Sequence, residues 1–191
     1  MSKDTWEKFY RSRGRYYLLP HQNINKVVSK FQTYKIKKVL DLGCGSGRHT
    51  IFLSKTDFSL TGIDFSKKAI SLAKKWAKKE KVKPKFIIAN IHKKLKLKNN
   101  SFDAIIAIDS LHYESSEDLK TTLKECKRVL KNDGLIFITL PTQICNPLVT
   151  HLIFTKAEIK DLISAQFSIL ESFLDKNNFL CTFAINDKNH D

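Results

Sequence analysis

The chain has 191 residues, with 34 lysines and arginines against 19 acids and a formal net charge of +15. That length supports one domain with a sizeable core, and no apolar run reaches the length of a membrane span. Cys44, Cys126, Cys145 and Cys181 are scattered with no C-x-x-C pair, which speaks against a metal site or a disulfide framework and for a reducing, cytoplasmic setting.

The first residues lack an apolar signal region. Trp6, Phe9, Tyr10, Arg11, Arg13, Arg15, Tyr16 and Tyr17 then mix aromatic rings with arginine, a composition that suits either stacking bases and contacting phosphates or forming an aromatic-walled lid over a small acceptor. Residues 24–34 read as a helix with Ile24, Val27, Val28 and Phe31 on one face. A strand is expected over 38–42, a helix over 47–54 and a second strand over 60–63. Residues 66–81 form an amphipathic helix in which Ala69, Leu72, Ala73, Trp76 and Ala77 recur at helical spacing. Pro84 precedes a third strand over 85–89. Residues 104–108 are continuously apolar, as in a strand buried on both faces of a parallel sheet. A helix over 119–130 ends at the stop signal Asn132-Asp133-Gly134. A fifth strand over 135–140 and a helix over 157–165 follow. Residues 167–174 and 179–185 flank Asp175-Lys176-Asn177-Asn178, which reads as a hairpin turn.

The alternation of strands and helices implies a doubly wound, mostly parallel α/β sheet with helices on both faces. The terminal hairpin adds an antiparallel strand at the edge. Residues 1–35 are expected to form an N-terminal lid segment and helix, and residues 36–191 the core, all in one compact domain.

The richest stretch is Val39-Leu40-Asp41-Leu42-Gly43-Cys44-Gly45-Ser46-Gly47. A strand ends there in a turn where glycine permits positive φ and close approach of a ligand to the backbone. The helix that opens after it presents unpartnered N–H groups that attract an anionic group. A small charged cofactor is therefore expected against this loop. The dinucleotide fingerprint needs G-x-G-x-x-G, and Arg48 stands where its third glycine belongs. About 20 residues further on, Leu60-Thr61-Gly62-Ile63-Asp64 ends in an acid, the separation that one strand, one helix and a second parallel strand require. Asp64 there can accept hydrogen bonds from both ribose hydroxyls. Capping the next helix is its other reading, and Ser66 can fill that role as well.

The order D-x-G-x-G-x-G resembles motif I of the class I S-adenosylmethionine-dependent methyltransferases. Asn100-Ser101-Phe102-Asp103-Ala104-Ile105-Ile106-Ala107 is similar to that family's entry to strand four. Lys127-Arg128-Val129-Leu130-Lys131-Asn132-Asp133-Gly134-Leu135 is similar to its entry to strand five. Leu42 to His49 and Phe154 to Ile159 also resemble small "type 11" and tellurite-resistance-type methyltransferases. The resemblance covers nearly all residues from Ile36 onward and implies a Rossmann-like seven-stranded fold. It implies that the backbone of Gly43, Cys44, Gly45 and Gly47 faces the methionine part of S-adenosylmethionine, with Asp41 at its ammonium. It gives Asp64 the ribose, Phe65 the adenine face, and Asn90 and Ile91 the adenine edge. Asn90 departs from the acid usual in the family, although its amide can still accept and donate. Asp109 would border the methionine end. S-adenosylhomocysteine is then the product, and no metal is implied.

Methyl transfer from a sulfonium needs mainly alignment and exclusion of water. A general base helps only where the acceptor has a proton to lose, and His112 has the pKa for it. Tyr113 is the other catalytic candidate, and with Gln143 a candidate pocket wall; His49 and Cys145 carry no chemistry. The segment Asp109-Ser110-Leu111-His112 lacks the N/D-P-P-Y/F tetrapeptide of nucleic-acid amino methyltransferases, and a Pro-Cys pair is absent. A small-molecule acceptor is therefore expected, under an N-terminal lid, with no membrane partner. From Lys67 to Lys98 thirteen lysines face one acid, Glu80, and read as a solvated face rather than a nucleic-acid patch. Two alternatives stay open: the same core acting on RNA or protein through its basic surface, and a non-catalytic S-adenosylmethionine-binding module. Oligomeric state stays open too.

Overall fold

The computed structural model describes residues 3–15, 18–111, 115–142 and 153–187. It divides into two compact units, Met1–Ile91 and His92–Asp191. The first unit runs α1 (Lys3–Arg13), α2 (Ile24–Thr33), β1 (Lys38–Leu42), α3 (Arg48–Leu53), β2 (Ser59–Asp64), α4 (Lys67–Lys79) and β3 (Lys85–Ile88). β1 pairs with β2 and β2 with β3, all parallel, with Lys38 opposite Ser59 and Leu42 opposite Ile63. Parallel neighbours put their carboxyl ends side by side, so the loop after β1 and the acid ending β2 meet at one rim.

The apolar periodicity decides what each helix buries. Ile24, Val27 and Phe31 of α2 turn inward, and the Phe31 ring meets Phe58 edge-on at 5.9 Å. Ala69, Ile70, Ala73 and Ala77 form the buried stripe of α4, with its lysines on the opposite side. Ser66 caps α4, its hydroxyl accepting from Ala69 N at 3.0 Å, so the cap expected of either Asp64 or Ser66 belongs to Ser66. The sequence reading does not anticipate α1. Its helical spacing lies in Trp6, Phe9 and Tyr10, whose rings cluster with centroids 5.3 and 5.9 Å from Trp6.

The second unit runs β4 (Phe102–Ala107), α5 (Ser116–Val129), β5 (Leu130–Pro141), α6 (Lys156–Ser164), β6 (Ser168–Leu174) and β7 (Phe179–Ile185). β5 begins at Leu130, earlier than the sequence suggests. The expected stop, Asn132 to Gly134, becomes a bend within the strand, with Asp133 at φ 59°. Asn186 holds that bend by donating from Nδ2 to the carbonyls of Leu130 and Lys131, each at 3.1 Å. The sheet order is β3-β2-β1-β4-β5-β7-β6, with β7 antiparallel to both its neighbours. The reversed strand is therefore not outermost, as expected, but second from the edge. β7 is buried along nearly its whole length and β6 only half so, and the more apolar strand takes the inner place. The Asp175 side chain shapes the turn between them, accepting from Asn177 N at 2.8 Å and Phe179 N at 2.9 Å.

One ion pair organises the approach to β4. Arg128 binds Glu125 through Nε at 2.7 Å and through Nη2, and donates to the carbonyls of Leu95 at 3.1 Å and Leu97 at 2.9 Å. Glu125 in turn accepts from Leu95 N at 2.6 Å. Its side chain is only 10% exposed, so removing its partner strands a nearly buried charge. Arg128→Ala should cost about 2 kcal/mol of stability, discounted for the partial exposure of the arginine, as read from the denaturant midpoint. An unshifted midpoint would mean that water replaces the guanidinium without loss.

Candidate functional site

The turn after β1 passes through Gly43, Gly45 and Gly47 at φ 69°, 54° and 92°. At two of these glycines a side chain would be strained by the positive φ and crowded by a neighbour. A Cβ on Gly47 would lie 3.0 Å from the Cβ of Ala73, and one on Gly45 would overlap the Tyr10 hydroxyl. Gly47 N donates to Cys44 O at 2.9 Å, and Ile51 N to Gly47 O at 2.8 Å, which closes the turn onto α3. Cys44 N donates to Ile63 O at 2.9 Å, tying the turn to the end of β2.

Asp64 completes that tie. Its Oδ2 accepts from Gly45 N at 2.9 Å and its Oδ1 from Ser66 N at 2.8 Å. A carboxylate has about four lone-pair positions, so each oxygen keeps capacity for a further donor. Burial pushes the Asp64 carboxyl up to about 6, against the hydrogen bonds from Ser66 and Gly45 that favour its charge. Asp41 lies inside β1 at 1% exposure and accepts from Thr50 Oγ1 at 2.5 Å. Burial pushes it, too, up to about 6, with Thr50 pulling the other way. Two carboxyls at one rim thus lack enough donors to ionise at their ordinary pH. The same burial drives the Cys44 thiol well up, so it packs as a small apolar group rather than a nucleophile.

The helix α1 lies against this rim. Glu7 Oε2 accepts from Ser66 Oγ at 2.6 Å and from Lys68 N at 3.3 Å, which adds a second cap to α4. Arg15 stacks its guanidinium on Trp76, 4.6 Å from the ring centroid. α1 therefore packs on the start of α4, and its Tyr10 hydroxyl lies against Gly45 of the glycine turn. Glu7→Ala should lower stability by about 1 kcal/mol, the usual scale for a lost cap. A denaturant titration showing no change would assign the capping to Ser66 alone.

The remaining sequence candidates fall into three groups. Phe65 follows Asp64 half-buried; Asn90 and Ile91 follow β3, the first exposed and the second buried. His49 sits buried on α3 and accepts from His21 N through Nε2 at 3.1 Å, and burial holds its pKa well down, which leaves it a neutral packing residue. In the second unit Asp109 follows β4 at φ 55°, its N donating to Thr139 Oγ1 at 2.9 Å. Beside it the Ser110 hydroxyl is buried without a hydrogen-bond partner among the described residues. His112, Tyr113, Gln143 and Cys145 lie outside the described residues.

Thr50 and Glu7 are the site residues that sequence reasoning missed, and Tyr10, read there only as part of an aromatic run, sets its hydroxyl against Gly45. Tyr10 and Trp6 share a helical face that the spacing of rings in residues 6–10 reveals. Nothing in the sequence points to Thr50 as the partner of Asp41.

A cofactor with ribose hydroxyls and a cationic amine fits these residues. The positive φ values of the turn bring bare backbone to the rim, and the two buried, raised carboxyls can accept from hydroxyl and ammonium donors.

A family profile described as "Methyltransferase domain" matches residues 39–134. The ubiquinone biosynthesis O-methyltransferase of Pelagibacter ubique is 36% identical over 113 residues, which are 59% of this chain and 45% of that protein. The chain spans about half the length of the curated relatives it matches. Among solved structures, a protein of Pyrococcus horikoshii has a TM-score of 0.77 at 22% identity, over 94% of this chain and 99% of its own. Magnesium protoporphyrin IX methyltransferase from Synechocystis, with bound S-adenosylmethionine, has a TM-score of 0.77 at 18% identity, over 97% and 95%. At these identities the structural likeness establishes the shared fold.

Proposed function

The chain belongs to the methyltransferase-domain family, and from that premise we propose that it transfers a methyl group from S-adenosylmethionine to a small-molecule acceptor by in-line displacement. The observation that carries this reading is the bond between Gly45 N and Asp64 Oδ2, which fastens the glycine turn to the acid ending β2. One carboxylate thereby shapes the turn and keeps lone pairs for ribose hydroxyls. Asp41 takes the ammonium, and the backbone of Gly43 to Gly47 lies along the methionine part. Phe65 packs on the adenine, and Asn90 and Ile91 meet its edge. Relatives that methylate in ubiquinone and menaquinone biosynthesis support a small acceptor.

S-adenosylmethionine supplies a methyl group already activated on a sulfonium. What the chain contributes is alignment and exclusion of water, the terms that dominate a direct displacement. We propose Asp109 as the next position to substitute for cofactor affinity, and His112 and Tyr113 for turnover. A general base shows itself as a pH-dependent kcat with a proton-bearing acceptor.

The deciding experiment is calorimetric. S-adenosylhomocysteine should saturate the protein and NAD should not; the reverse would overturn the assignment. Turnover of labelled S-adenosylmethionine across thiols, metalloid oxyanions, small amines, phenols and total RNA then identifies the acceptor. Methylation confined to RNA would overturn the small-molecule reading.

A further inference from the structure

The two units differ sharply in charge. Residues 1–91 hold 21 lysines and arginines against 6 acids; residues 92–191 hold 13 against 13. The entire net charge of +15 therefore belongs to the first unit. A general preference for lysine would have loaded both units alike. The cofactor proposed above does not account for it either, since a sulfonium-bearing amino acid is not an anion that a positive field would attract.

Within the first unit the charge gathers on α4 and its exit. Lys67, Lys74, Lys75, Lys78, Lys79 and Lys81 are all exposed. At 3.6 residues per turn the first five share the side of α4 opposite its buried alanines. The sole acid between Lys67 and Ile91, Glu80, is already engaged by Lys55 Nζ at 2.7 Å and Trp76 Nε1 at 3.2 Å. Local energetics oppose the arrangement. Lys74 and Lys78, and Lys75 and Lys79, repel at i,i+4, and Lys67 and Lys68 sit at the positive end of the helix dipole. Interspersed acids would remove these costs. The basic face also runs on to α1, which packs on α4 and exposes Lys8, Arg11 and Arg13.

We propose that this face of α4 is a docking surface for the phosphate backbone of a double-stranded nucleic acid, bound without reading its sequence. Lysines are point charges suited to phosphates, and they offer no planar fork or ring for a base edge. Unpaired bases would need a stacking platform. The one aromatic ring of α4, Trp76, is half-buried and covered by Arg15, and the α1 rings Trp6, Phe9 and Tyr10 are half-buried against one another. A lipid surface would call for large apolar side chains beside the lysines, and α4 exposes none. The surface is separate from the residues proposed to hold the cofactor, so docking can be lost while cofactor binding stays.

The test is polarisation binding of a labelled 20-base-pair RNA duplex at 50–200 mM salt. The full chain should bind it with a dissociation constant in the micromolar range at about 100 mM salt, equally for two unrelated sequences, with affinity falling steeply as salt rises. Lys74→Gln, Lys75→Gln, Lys78→Gln and Lys79→Gln together should weaken binding at least tenfold and flatten the log–log salt slope by about 3. The same four positions changed to Arg should retain full affinity. Lys120→Gln, Lys124→Gln, Lys156→Gln and Lys160→Gln, which remove the same charge from the second unit, should change affinity less than twofold. Unchanged S-adenosylhomocysteine binding, or failing that an unchanged melting curve, certifies that each variant is folded. The proposal is overturned by no duplex binding at 50 mM salt, or by equal losses in the two glutamine sets. Tighter, α4-dependent binding to phosphatidylserine vesicles than to the duplex would also overturn it.

Discussion

Asp64→Ala should raise the dissociation constant for S-adenosylhomocysteine about 100-fold, which corresponds to about 3 kcal/mol. Two losses add. The charged acceptors for the ribose disappear, and hydrogen bonds to a charged partner contribute about 1.5–3 kcal/mol. The glycine turn also loses its fastening, because Gly45 N and Ser66 N both donate to this carboxylate. Asp64→Asn separates the two effects. It keeps one acceptor oxygen and nearly the same volume, so the turn survives better than the ribose contact and the loss should be about tenfold. Calorimetry on both variants, with the melting temperature as a control for the fold, gives the answer. An unchanged affinity in Asp64→Ala would remove this residue from the cofactor site.

The second large effect is with pH. Asp41 and Asp64 are both raised to about 6, with burial the chief cause in each. A raised carboxyl holds its proton more tightly in the folded chain than in the unfolded one. Its contribution to stability is therefore fully present below about pH 4 and lost as pH rises through about 6. Ligand binding runs the other way, because ribose hydroxyls and an ammonium group need acceptors that have given up their protons. Cofactor affinity should accordingly be flat above about pH 7 and fall as pH drops, reaching a loss of about 100-fold at pH 5 if both groups must ionise. Between pH 5 and 7 binding should release protons, which calorimetry in buffers of different ionisation enthalpy measures directly. Thr50→Val removes the hydroxyl that favours the charged form of Asp41 and should move the midpoint upward. Proton uptake on binding, or an affinity independent of pH from 5 to 8, would refute the linkage.

Much of this site can be read from one dimension because its parts obey local rules. Positive φ at Gly45 and Gly47, an acid at a strand end and a fixed strand–helix–strand separation leave marks in sequence. β1 and β7 fall where alternation and apolar runs place them. Contacts between distant segments leave no such marks. Thr50 meets Asp41 only because α3 folds back beside β1, and Glu7 reaches Ser66 across 59 positions. The exchange of β6 and β7 was hidden for a similar reason. A hairpin reads the same whichever arm lies inward, and the decision rests on which arm is more apolar. The charge imbalance was visible as a count, but its meaning depended on knowing that the structure divides at Ile91.

The outer strands of the sheet have a consequence for self-association. An open strand edge is a template on which another chain can add and seed fibrils. β3 offers only four residues and begins with Lys85. β6 is longer and shows Leu170 and Leu174 to solvent, but its register slips between Ile169 and Glu171. That slip places Leu170 out of step with the ladder and twists the edge away from a would-be neighbour. Deleting Leu170 would straighten the ladder and remove that protection, and the regular edge would then be a better template for another chain even while the protein stays folded.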